Sequence, residues 1–138
     1  MSQSISGILV DPVQERSLSA SVIIDDSGMI AVGASDTALA AAVNAVSANR
    51  GGLAVADDVG NILATLPLPI AGLMSTDDAE TMTAKYAACD RQAKALGSSL
   101  RAPFMTLSFM ALPVIPQLKL ADKGLFDTAS LAYTPSII

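Results

Sequence analysis

The sequence predicts an α+β domain, a ββαββα two-layer sandwich with an antiparallel-rich sheet and both helices on one face. Three observations carry that expectation. Two pairs of short β-prone runs are each joined by a turn of Asp and Gly residues, at 25–28 and 57–60. Each pair precedes a segment whose apolar residues recur at helical spacing, and each such segment ends at glycine. The two ββα halves, 18–50 and 51–97, match in order and length, which suggests a pseudo-repeat. At 138 residues the chain suits one domain. We divide it into an N-terminal arm or edge strand, 1–17, and the domain proper, 18–138.

In the arm, Ile5, Ile8, Leu9 and Val10 suit an edge strand ended by Asp11 and Pro12, or a flexible lead. The first hairpin pairs 21–24 with 29–33, its turn supplied by Asp, Ser and Gly. Ser35 or Asp36 then caps a helix that sets Leu39, Ala42, Val43 and Val46 on one face and stops at Gly51 and Gly52, where glycine suits a left-handed cap. The second hairpin pairs 53–56 with 61–66, and Pro67 and Pro69 end regular pairing because proline has no N–H for the ladder. Ser75 with Asp78 resembles a capping box. In the helix it opens, Ala79, Met82, Tyr86, Cys89, Ala93 and Leu96 line one face, and Gly97 closes it. Acidic residues at its start and Arg91 and Lys94 near its end suit the helix dipole. In the apolar, Pro-punctuated tail, 104–110 reads as a short helix or buried segment, and 125–134 as loop with a last strand.

Composition excludes more functions than it proposes. The chain is 51% hydrophobic and 15% charged, where an average domain carries about 25% charged residues. It has no His, so imidazole acid–base chemistry, His-ligated zinc and Ser-His or Cys-His nucleophiles are closed to it. One Cys forms no intrachain disulfide. The net charge of −5 argues against a nucleic-acid or anionic-membrane partner. The uncharged stretches 59–76 and 102–117 are too rich in Pro and Gly for transmembrane helices. The N-terminal residues lack the pattern of a secretory signal, and the expected location is the cytoplasm. The apolar surplus points to a homo-oligomer interface or a neighbouring domain.

Three Asp pairs, Asp25-Asp26, Asp57-Asp58 and Asp77-Asp78, have the residue type for acid–base work or a divalent cation. Their positions in hairpin turns and at a helix start favour local hydrogen bonding instead. Cys89 falls on the apolar stripe of the second helix with no base available, which reads as buried structural thiol. Gly51-Gly52 and the segment 72–75 lack the spacing of a phosphate-binding loop.

Two longer runs add a resemblance. LPLPIAGLMS at 66–75 and PFMTLSFMALPVIPQLKL at 103–120, continued by ADKGL, are similar to segments of the adenine deaminase C-terminal domain. GGLAVAD at 51–57 and IAVG at 30–33 fit the same family. The resemblance implies a larger parent that hydrolyses adenine to hypoxanthine and ammonia, with its divalent metals held by a (β/α)₈ barrel that this chain does not contain. One stretch departs from the family: where its members resemble SVAHDSHNIIAVG, positions 24 and 27 here are Ile24 and Ser27, and Asp25 is kept. No catalytic or metal residue is therefore carried over, and no cofactor is expected in this chain. The turn at Asp25, Asp26 and Ser27 is the candidate binding site. The expectation is a module that is non-catalytic alone and serves packing or assembly, with a homo-oligomer or an amidohydrolase barrel as partner. The alternative is a small-molecule, purine-like binding module.

Overall fold

The computed structural model describes residues 20–25, 28–110, 112, 114, 115, 117–121 and 123–135. The expected arm, 1–17, lies outside them. Strand β1 (Ala20–Asp25) and β2 (Gly28–Val32) form the first hairpin, followed by α1 (Asp36–Ala48). Strand β3 (Gly52–Ala56) and β4 (Ile62–Pro67) form the second, followed by α2 (Ala79–Ala95). Helix α3 (Pro103–Met110) and the strands β5 (Leu118–Ala121), β6 (Gly124–Asp127) and β7 (Ala132–Thr134) complete the described chain. The α+β class and the ββαββα order are those the sequence predicts.

All pairings are antiparallel, in the order β2-β1-β3-β4 for the main sheet and β5-β6-β7 for a separate meander. Strand β3 is central, and all five of its residues are buried. Successive side chains of a strand point to opposite faces. On one face Ala54 and Ala56 cluster with Ala38, Ala42 and Val46 of α1. On the other, Leu53 and Val55 join Leu66, Cys89 and Ala93 of α2, and Phe104 of α3. The helices therefore cover opposite faces, which corrects the expected two-layer packing to three layers. The reason lies in β3 itself. GLAVA offers no polar position to mark a solvent face, which is the pattern of a strand covered on both sides.

The helix ends refine the sequence reading. The Ser35 hydroxyl caps α1, accepting from the Ala38 N–H at 3.2 Å. For α2 the cap is Asp78, whose carboxylate accepts from the Thr81 N–H at 2.8 Å, while Ser75 accepts from the Asp77 N–H three residues upstream. Only Cys89 and Ala93 of the expected stripe are fully buried; Met82 and Leu96 pack partly buried against the same cluster, and Ala79 and Tyr86 are exposed. In the tail, α3 buries Phe104 and Leu107, and the expected loop at 125–134 contains two strands of the meander.

At the α1–β3 junction three successive residues have positive φ, Arg50 (58°), Gly51 (132°) and Gly52 (112°), and the helix cap falls on Arg50. Two bonds close the helix there, from the Gly51 N–H to the Val46 carbonyl (2.9 Å) and from the Arg50 N–H to that of Ser47 (3.0 Å), the Schellman pattern. The two glycines serve close approach instead. A Cβ on Gly52 would strike the Leu66 carbonyl oxygen and lie 2.9 Å from the Leu68 nitrogen, at a φ of +112°. Gly52→Ala therefore forces β3 and β4 apart beneath both layers. The expected loss is about 2–4 kcal/mol, read from the urea midpoint; an unchanged midpoint contradicts it.

Candidate functional site

Strand register places the β1–β2 turn, the α1–β3 junction and the β4–α2 loop at one end of the sheet, and the turn at 57–60 at the other. Ile23 of β1 pairs with Leu53, and β1 runs on two residues, so Asp25 lies level with Gly51. Gly52 pairs with Pro67, so the β4–α2 loop emerges at this same end. The C-terminus of α1 is also here. Of the candidate turn, Asp25 ends β1 opposite Gly28, while Asp26 and Ser27 lie outside the described residues.

The loop after β4 is tightly held. The Leu68 N–H donates to the Gly51 carbonyl at 3.1 Å. Ile70 and Met74 exchange two backbone bonds, each 3.0 Å, and the Leu73 N–H adds a third to the Ile70 carbonyl at 3.1 Å. Between them Ala71 (φ 56°) and Gly72 (φ 78°) make the two positive-φ positions of a tight turn. For alanine the left-handed region costs roughly 1–2 kcal/mol. Gly72 is buried, and a side chain on Gly51 would strike its Cα, so the turn of the hairpin is itself seated against the α1–β3 junction. Its large side chains point away from the core: Ile70, Leu73 and Met74 are 41, 50 and 56% exposed. Sequence reasoning took 72–75 only as a helix-capping stretch. Ala71 before Gly72, between flanking apolar residues, is the faint hairpin signal present.

The other carboxylates are dispersed, and several are locally engaged. Asp57 accepts from the side chain of Asn61 (2.8 Å) and from the N–H groups of Asn61 (2.7 Å) and Val59 (3.2 Å); these bonds, the Asn61 side chain first, hold its carboxyl below the usual range. The Thr81 N–H and hydroxyl do the same for Asp78, and the Ala129 N–H and Ser130 hydroxyl for Asp127. Asp77 pairs with Lys85 at 2.6 Å. Among the described residues no three His, Cys, Asp or Glu side chains gather as a metal site would require. Nor, among them, is any helix long and apolar enough to cross a membrane.

Cys89 is fully buried between α2 and the sheet, and burial raises its thiol pKa to about 11. Since the thiolate is the reactive form, Cys89 in the native chain should resist an aromatic disulfide reagent at about pH 8 and label fully only in denaturant. Fast native labelling contradicts this. For the lowered carboxyls, the stabilising contribution is complete above the unfolded pKa and disappears as pH falls through the lower native value. Asp78→Asn keeps a capping acceptor but not the titration. Urea midpoints taken from about pH 6 down to about pH 2 should fall less steeply for this variant than for the parent. Parallel curves would show that Asp78 does not contribute.

Comparison with known proteins gives this arrangement its context. The family model described as the adenine deaminase C-terminal domain matches residues 5–132. Adenine deaminase of Methanosarcina barkeri is 44% identical over 121 residues, covering 88% of this chain and 22% of that protein. Adenine deaminase of Salinibacter ruber is 47% identical over 122 residues, with the same two shares. That of Sulfurovum sp. is 46% identical over 125 residues, 90% of this chain and 23% of the relative. The chain thus spans about a fifth of the length of the curated relatives it matches. With nearly its whole length matched by one family model, it belongs to the adenine deaminase C-terminal domain family.

Proposed function

We propose that this chain works as the C-terminal module of an adenine deaminase and that hydrolysis of adenine to hypoxanthine and ammonia is carried out elsewhere in the enzyme, this module serving packing and assembly. The observation that carries the reading is the family match across 5–132, on a chain about a fifth as long as the deaminases it resembles. The chemistry of its side chains supports the non-catalytic part. Deamination at a purine ring needs an activated water and a proton shuttle. The chain has no imidazole, its thiol is buried and protonated, and Asp57, Asp78 and Asp127 already spend acceptor capacity on their own turns.

The divalent metal that the family resemblance implies would lower the pKa of a bound water. The donor set described here does not fit such an ion, because its carboxylates lie in separate turns and no three converge. We therefore place no step through a metal in this chain. The partner in this proposal is the barrel of an amidohydrolase, with a homo-oligomer as the other cover for the exposed apolar groups. The setting is the cytoplasm, where a lone reduced thiol persists.

The purified chain, assayed for ammonia release from adenine with and without manganese or iron, should show no turnover above buffer; sustained turnover would overturn the reading. The purine-binding alternative has a separate signature. Binding to the native state raises the melting temperature with ligand concentration. We expect none with adenine, and a concentration-dependent rise would favour that alternative.

A further inference from the structure

We infer that the hairpin at 70–74 is the plug by which this domain seats on the remainder of an adenine deaminase. The inference rests on the reading above and adds to it the surface used. Three neighbouring large apolar side chains, Ile70, Leu73 and Met74, stand about half exposed on one short turn. No charged residue occurs anywhere in 59–76 to solvate them. A soluble surface normally breaks up such a cluster, and a persistent one marks a contact.

The hairpin is also built to keep its shape. Leu68 just ahead of it is bonded to Gly51, Gly72 of its turn is packed against Gly51, its ends are closed by three backbone bonds, and a left-handed alanine is held at Ala71. A loop already ordered in this way loses little conformational freedom on docking. Strain held at an exposed tip, where a glycine would relieve it, is of the kind that accompanies ligand clamps and contacts.

The occupant follows from the length of the relatives and the small area exposed. The relatives place this domain at the end of a chain several times longer, so most of the enzyme lies outside the structure. A second copy is a poorer fit. Three half-exposed side chains fall well short of the about 800 Å² per partner that a stable association between two copies uses. A domain tethered to its partner needs far less area, since its docking is intramolecular.

The test replaces the matched domain of the Methanosarcina barkeri relative by this chain and follows thermal unfolding of the whole protein. We expect a single transition for the parent chimera. Leu73→Asp with Met74→Asp should split it in two, while leaving the melting of the isolated chain unchanged because both side chains are exposed. Leu131→Asp, on the exposed meander, should leave the single transition intact. A double variant that still melts in one step overturns the inference, as does a split caused by Leu131→Asp. Two transitions in the parent chimera itself would instead overturn the packing role proposed above.

Discussion

The enclosure of β3 on both faces is the constraint on which the rest of this fold depends. A strand covered twice has no solvent side, so each of its positions must be apolar and each must match the layer above or below it. Here the match is asymmetric. The face beneath α1 uses alanine at Ala54 and Ala56 against Ala38 and Ala42, which brings that helix close to the sheet. The opposite face carries the larger Leu53 and Val55, and fills the deeper layer with Cys89, Leu66 and Phe104. Enlarging the first face or trimming the second would each disturb packing at near-crystalline density. The same enclosure sets the value of Gly52: a strand tightly bonded to β4, with helices on both sides, has no room to move away from an added methyl group.

Chain order was legible in the sequence because it is written in local signals. The turn at 57–60 announces itself by Asp and Gly, Ser35 by its place before an apolar period, and Gly97 by its place after one. Layering was not legible, because it depends on which face of β3 each helix meets, and a strand apolar at every position is silent about that. Arg50 was missed for a related reason. Two adjacent glycines look like the cheapest left-handed cap, but both were needed for close approach to Leu66 and Gly72, so the cap fell to the residue before them. At the candidate site, the turn of Asp25, Asp26 and Ser27 was found through departure from a family pattern, and register then brought Asp25 level with Gly51. The hairpin at 70–74 was hidden, since its alanine has no intrinsic preference for the conformation it adopts.

The polar chemistry of the domain has the same inward economy. Asp57, Asp78 and Asp127 each satisfy backbone N–H groups within four residues, so their charge stabilises a turn or a helix start and is little available to a ligand. Surface ion pairs such as Lys94 with Asp90 add at most a fraction of a kcal/mol. Alongside these engaged carboxylates, the described surface exposes many large apolar side chains. Exposed aliphatic side chains beside locally engaged carboxylates favour the packing role proposed above.

That contrast bears on how a deaminase could use such a domain. Turns that must bind a charged substrate keep their polar groups free and their backbone adaptable, whereas the β4–α2 loop keeps its backbone bonded and projects hydrocarbon. The α1–β3 junction and this loop are fixed to one another by glycines whose Cα atoms have no space for side chains, so a displacement of the hairpin must be felt at the start of β3. Because β3 is gripped by both helical layers, force applied at Leu73 is borne by the whole core and not absorbed by a pliable loop. A hairpin anchored so directly to the most buried strand holds its place relative to the core, which is what the docking role inferred for it requires.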